Sequence, residues 1–324
     1  MKLKPPLAIA APPDPAAWDA LVAGAREATV FHTSAWARIW LDEWRDARRV
    51  AIVVEDGGGY EGGIVAIVRG RGIGRTVSSM PYGTYGGPIV RPGHPDPASV
   101  RRELLEGYAR FAGSRWTLRS ELTWYLGARE EIPARLHAAE SFTHVLPLKG
   151  DFATLAAGFS LSTRHMVRQA EESGLEIRAA ETEEDVRAYH ELAVETVRRR
   201  GGRPKPFSLY ARIFETLGPS GLARFHLVHH EGTPAAGSLH LFRGGIATNW
   251  LTVSRQTQWH LRPNNFLIAR ILETLCAAGY LEYNFGASPH AAAGLIRFKE
   301  GWGAATRPLL VAGRRSTIHR MLRG

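Results

Sequence analysis

The stretch "IATNWLTVSRQTQWHLRPNNFLIARILETLCAAGYLEYNF", from Ile246 to Phe285, decides the fold. Its β-branched and aromatic opening, Ile246 to Ser254, reads as a strand. Pro263 suits the first turn of a helix, where its missing N–H costs nothing. Leu267, Ile268, Ile271, Leu272 and Leu275 then recur on one face of a helix to about Ala278. "YLEYNFGA" is a second strand, so the order is strand, loop, helix, strand. The loop ahead of the helix holds no glycine. A pyrophosphate is gripped where backbone N–H groups converge on it at a helix N-terminus, and glycines let the backbone come close. This helix start lacks that equipment.

Outward from this unit, the second half gives helices over 162–173, 183–200 and 208–217. The strands "ARFHLVHHEG" and "PAAGSLHLFRGG" follow, and after the quoted stretch come the helix "AAGLIRFKEGWG" and the strand "RPLLVAG". The first half has a similar plan. "DPAAWDALVAGA" is a helix capped by Asp14, and Ser34 to Arg45 a second one capped by Ser34. "RRVAIVVED" and "GGIVAIVRG" form an antiparallel hairpin, "GGPIV" begins a strand, "DPASVRRELLEGYARFAG" is an amphipathic helix and "RSELTWYL" a strand. Helices alternating with antiparallel strands predict an α/β (α+β) fold of two similar domains, 1–147 and 148–324. Each would be a mixed, mostly antiparallel sheet flanked by helices.

The 324 residues are 44% hydrophobic and 22% charged, which fits a folded chain with a large core. A single cysteine, Cys276, rules out an internal disulfide framework and suits a reducing cytoplasm. The start, "MKLKPPLAIAAPPDP", is too short and too broken by proline for a secretory signal. No run reaches the roughly 18 apolar residues of a membrane span, which still allows peripheral contact with the inner membrane face. The net charge of +10 favours anionic partners: phosphates, nucleic acid or acidic headgroups.

"VRGRGIGRTVSSMPYGTYGGP" (68–88) carries Arg69, Gly72 and Gly74 at the R-x-x-G-x-G spacing of an acetyl-CoA loop. A phosphate loop must run straight into a helix. Here Thr76 and Val77 follow, then Pro81 and Gly83, Gly86 and Gly87, which is strand and turn chemistry. The segment reads as a hairpin tip.

Several segments, in order, resemble the FemAB-type aminoacyltransferases, which are built from two N-acetyltransferase-like domains in tandem. They are "FHTSAWARIW", "MPYGTYGGPIV", "STRHMVRQAEESGLEIR", "ETVRRRGGRP", and "YLEYNFGAS" followed by "GLIRFKEGWG". The resemblance covers roughly residues 30–310. It implies transfer of an amino acid from an aminoacyl-tRNA to an amine of a peptidoglycan-type cell-envelope precursor, with no resident cofactor. Some members also carry a tRNA-gripping coiled coil, and no long heptad run is present here.

The resemblance places Lys299 near the reacting carbonyl as an electrostatic clamp, with the Phe298 backbone carbonyl beside it; from its setting alone Lys299 reads as a solvated helix residue. It places Arg38 and Arg199 on the anionic acceptor, a task that suits the planar guanidinium fork. Arg199 sits among five basic residues from Arg198 to Lys205, and such runs are also ordinary solvated faces. Tyr82 and Tyr85 either bond substrate or pack the turn. Arg164 and Arg168, four apart on one helix face, meet phosphates or solvent. Asn264 and Asn265 sit at a helix N-terminus, where they serve an anion or cap the helix.

His226, His229, His230 and His240 bring no carboxylate or cysteine pattern with them, so no metal is expected. Cys276 reads as packing. Three functions follow in order: tRNA-dependent aminoacyl transfer, acyl-CoA-dependent N-acylation of a polysaccharide or peptide amine, and non-catalytic binding of nucleic acid or an envelope lipid.

Overall fold

A computed structural model describes residues 7–9, 14–56, 59–71 and 74–315. The proline-rich start therefore lies largely outside the described residues, as do the glycines at 57 and 58 and Gly72 of the R-x-x-G-x-G spacing. The chain divides into two units, Met1–Phe142 with the segment from Pro308 onward, and Thr143–Arg307. The sequence reading draws a single line at 147/148. The contacts instead cut inside a strand and return the last strand of the chain to the first unit.

The first unit opens with β1 (Leu7–Ile9), α1 (Pro15–Gly24) and α2 (Ser34–Glu43). Asp14 caps α1, its carboxylate accepting from the amides of Ala16 and Ala17. The cap of α2 is Thr33 rather than the expected Ser34: the Thr33 hydroxyl accepts from Trp36 N at 3.1 Å. Ser34 is already helical, and its N–H donates to Asp19. Next come β2 (Ala47–Asp56), β3 (Gly59–Arg69), β4 (Arg75–Ser79) and the short β5 (Ile89–Val90). Then α3 (Pro97–Ala112) crosses over to β6 (Thr117–Tyr125). β1 to β4 pair antiparallel in sequence order and β6 lies parallel to β4. The strand after that comes from the far end of the chain.

The second unit repeats the order. β7 (His137–Pro147) enters it from Thr143, followed by α4 (Phe152–Ala157) and α5 (Leu161–Glu171). Then come β8 (Leu175–Ala179), α6 (Glu183–Arg199), α7 (Phe207–Leu217), β9 (Ala223–His230), β10 (Thr233–Arg243) and β11 (Ile246–Ser254). The crossover helix α8 (Pro263–Ala277) leads to β12 (Glu282–Ala287), and α9 (Ala293–Glu300) to β13 (Ala305–Arg315). β8 to β11 pair antiparallel in order, β12 runs parallel to β11, and β7 is antiparallel to β12. β13 pairs antiparallel with β6 of the first unit through Leu309 to Arg315. Each repeat thus gives its closing strand to the other.

Each unit has its own core. In the first, the β2 and β3 aliphatics pack on Val100, Leu104, Leu105 and Tyr108 of α3. In the second, Leu267, Ile268, Ile271, Leu272 and Leu275 of α8 are all buried, as their spacing predicts, against Tyr283, Phe285 and Trp302. Each such side chain contributes about 1.5–3 kcal/mol on leaving water.

The glycine-rich turn after β4 is set by close packing. A Cβ on Gly87 would lie 2.1 Å from the Trp124 ring, and one on Gly86 would lie 2.3 Å from the Ser79 backbone. Gly87→Ala is therefore expected to destabilise the first unit by about 1–3 kcal/mol through overpacking, as read by chemical denaturation.

Candidate active site

β11 and β12 are paired over three positions only, Ile246↔Glu282, Ala247↔Tyr283 and Thr248↔Asn284. Beyond Thr248 and Asn284 the two strands are no longer paired and a wedge opens between them. A bulge on β11 adds to the break: β10 pairs Leu239 with Leu251 and then His240 with Asn249, leaving Trp250 as the extra residue. A bulge re-aims side chains and twists a strand away from its neighbour. The wedge is a cavity of about 390 Å³. Asn249, Trp250 and Thr252 line it from β11, Phe285 and Ala287 from β12, and Asn264 and Ile268 from the first turns of α8. Leu295, Phe298 and Lys299 of α9 close one side, and Arg200, just past α6, lies at another.

Lys299 is 4% exposed, so it is not a solvated helix residue. Its Nζ donates to the carbonyl oxygens of Gly286 at 2.6 Å and Ala287 at 3.2 Å, tying α9 to the frayed end of β12. An ammonium has three donors, so one remains beyond these two. Burial, and then the charge of Arg200, pushes the Lys299 amine down to about 8. Burial, and then the charge of Lys299, lowers His144 on β7. No carboxylate lines the wedge, so its electrostatics are cationic.

At the start of α8, three of the first four residues have no free backbone N–H. Arg262 occupies the cap position in the left-handed region, at φ 56°, and Pro263 brings no N–H. The amides of Asn265 and Phe266 are already bonded to the Arg262 carbonyl. The preceding turn, Gln256–Leu261, is pinned by Trp259 Nε1 donating to Ser254 Oγ at 2.9 Å, and Asn264 Nδ2 donates to the same hydroxyl.

The residues singled out in the sequence are distributed as follows. Lys299 and Phe298 stand together in the wedge, and Asn264 is there rather than Asn265, which is buried beside it. Arg199 faces another way: it stacks over Trp259 with its carbon 4.7 Å from the ring centre, and donates to Glu195 and to the Ser254 carbonyl. Its neighbour Arg200 is the one that reaches the wedge. Arg164 and Arg168 are exposed on α5. In the first unit, Arg38 is exposed and bonded to Asp42 one turn on, which raises its pKa. Tyr82, at φ 60°, is exposed against Trp40 and Trp44 and lines a groove of about 550 Å³ with Arg69, Thr76 and Arg119. Tyr85 is buried, stacked on Tyr125 at 5.2 Å. On either side of the first-unit R-x-x-G-x-G spacing, β3 and β4 pair antiparallel with Val68 opposite Val77, and Arg69 is paired to Asp46; the middle of the segment lies outside the described residues.

Residues 160–300 match a family model described as an acetyltransferase (GNAT) domain. The second unit carries a GNAT-like fold. Solved structures extend the likeness to the chain as a whole. FemX is 15% identical over 96% of this chain and 97% of its own, with a TM-score of 0.68. A tandem GNAT protein from the clavulanic acid biosynthesis pathway is 15% identical over 97% and 98%, at 0.59. The C-terminal domain of a putative lysylphosphatidylglycerol synthetase from Agrobacterium fabrum is 14% identical over 95% and 93%, at 0.57. No curated protein sequence matches the chain. The fold is therefore the tandem GNAT-like one that the FemAB resemblance implies, with two α/β repeats of mostly antiparallel sheet.

Asn249, Trp250 and Arg200 also line the wedge, and nothing in the residue order singles them out. The first two are set by the bulge, which no residue pattern marks, and Arg200 is one basic residue among five.

Lys299 carries a pH signature with a definite sign. Its amine ordinarily holds a proton up to about 10.5 and in the folded chain only up to about 8. Between those values the unfolded chain binds more protons, so Lys299 makes folding more favourable as pH rises from 8 to 10.5. Below 8 its desolvation cost is present in full. The unfolding free energy of the wild type, minus that of Lys299→Met, is expected to grow between pH 7.5 and 9.5.

Proposed function

We propose that the protein is an acyltransferase in which the wedge between β11 and β12 receives a carbonyl and an attacking amine. The observation that carries this reading is Lys299, a buried cation in a cavity walled by an unpaired strand edge. In aminolysis of an ester the amine nitrogen bonds to the carbonyl carbon, the C–O bond breaks, and the amine proton ends on the departing oxygen. Negative charge gathers on the carbonyl oxygen in between. Lys299 and Arg200 offset it in a wedge lined by no carboxylate side chain. With its amine at about 8, Lys299 is about nine-tenths protonated at neutral pH, so it acts as a charge rather than as a base.

The donor we favour is an aminoacyl-tRNA, and the acceptor an amine on a cell-envelope precursor. Support comes from the α8 start, where Pro263 and the pinned turn occupy the place a pyrophosphate cradle needs. The likeness to FemX, and to a protein named for joining a lysyl group to phosphatidylglycerol, points the same way. The acetyltransferase description of the matching domain favours an acyl-CoA donor instead.

Incubating the protein with a charged tRNA pool, and separately with acyl-CoA, decides between them. Labelled amino acid is expected to pass from tRNA to an amine-bearing precursor peptide; turnover with acyl-CoA alone would overturn the tRNA reading. Lys299→Met is expected to lower kcat about 10²–10³-fold with a much smaller change in KM, since the charge it offsets exists only in the transition state.

A further inference from the structure

Asn249 has an amide whose two ends are treated differently. Nδ2 donates to Thr252 Oγ1 at 2.7 Å and to Tyr283 Oη at 3.0 Å, which uses both of its hydrogens. Tyr283 Oη in turn lies 2.9 Å from Nε2 of His240, and His240 Nδ1 lies 3.2 Å from Ser238 Oγ. Ser238, His240 and Tyr283 are completely buried. Burial keeps the imidazole neutral, so one ring nitrogen accepts and the other donates. With the Asn249 amide placed this way the chain closes consistently: Nδ1–H to Ser238, Tyr283 O–H to Nε2, and Asn249 N–H to the Tyr283 oxygen, with Oδ1 the unbonded end.

That direction leaves Asn249 Oδ1 without a partner. The residue is 8% exposed, lies on the wedge wall and stands at the first position where β11 has lost β12. A buried carbonyl oxygen held in place and left unbonded is costly unless a ligand supplies the missing donor. Lys299 and Arg200 in the same wedge disfavour an ammonium there, which leaves a neutral N–H.

We propose that Asn249 Oδ1 accepts a neutral N–H of the bound substrate, an amine or amide nitrogen, and that Tyr283 and His240 are positioning residues which hold the amide the right way round. This rests on the reading of the wedge as the reacting site. Asn249 then selects for nitrogen over oxygen at one position of the ligand and turns the nitrogen lone pair away from itself.

The test needs no turnover. N-butylacetamide and butyl acetate differ at one position, N–H against O, and their tails suit the Phe285, Phe298, Ile268 and Leu295 wall. Binding is read from the ¹³C-labelled methyl groups of Ile268 and Leu295. Wild type is expected to prefer the amide about 5- to 10-fold, the effect of one hydrogen bond to a buried acceptor. Asn249→Leu is expected to bind both equally, Asn249→Asp to keep the preference, and Tyr283→Phe to fall between wild type and Asn249→Leu. Equal binding by wild type, a preference that survives in Asn249→Leu, or no methyl shift with either fragment would overturn the proposal. Should Asn249→Leu fail to fold, a full preference in Tyr283→Phe overturns the positioning role and a reduced one supports it. Failure of both donors in the transfer assay, with the fragment preference intact, would sink the acyl-transfer reading and leave the acceptor standing.

Discussion

Two parallel strands that part company leave backbone groups with no ladder, and the second unit is arranged around that deficit. Every peptide N–H and C=O needs a partner or water. On the β12 side, Lys299 supplies donors to the Gly286 and Ala287 carbonyls. On the β11 side, the bulge at Trp250 turns the strand so that its side chains, rather than a neighbouring strand, face the opening. β12 keeps its other edge on β7, so the wedge opens without undoing the sheet.

The same solution sets the electrostatics. The lysine that satisfies the β12 carbonyls must itself be buried, and burial beside Arg200 makes its charge expensive. Hydrogen bonds to two carbonyls recover part of that cost, and a ligand with a partial negative charge would recover more. The cation is therefore held in place by the fold and left electrostatically unsatisfied by it. That is the condition under which a charge stabilises a transition state more than a ground state.

Much of this was legible in the sequence because it follows from periodicity. The α8 face, the β2–β3 hairpin and the lack of a glycine loop before Pro263 all read directly from residue order. β7 was invisible: "HAAESFTHVLP" has no clean alternation, because its two halves serve different units and Thr143 and His144 are buried. Lys299 was found by resemblance, and its burial could not be read from a helix whose other residues are exposed or half-buried. Arg199 shows the limit of spacing. A one-residue shift on a helix turns a side chain by about 100°, so a basic run does not say which member meets the site. Arg199 went to Trp259, and Arg200 to the wedge.

The first unit shows what happens to the same topology when the gap is filled from within. There β4 pairs with β6 along its whole length, Arg75 to Ser79 against Thr117 to Leu122. The chain then folds back: Gly86 N donates to the Thr123 carbonyl at 2.8 Å, and Gly87 lies flat against Trp124. The Tyr- and Gly-rich turn thus occupies the edge that β11 and β12 leave open in the second unit, and buried Tyr85 belongs to that plug. Both crossover helices start with proline, Pro97 and Pro263, so the repeats share their scaffold to that level of detail. What separates them is three paired positions against five paired positions and a plug. The parting of the parallel strands leaves a cavity in the second unit, and in the first the backbone itself fills the corresponding place.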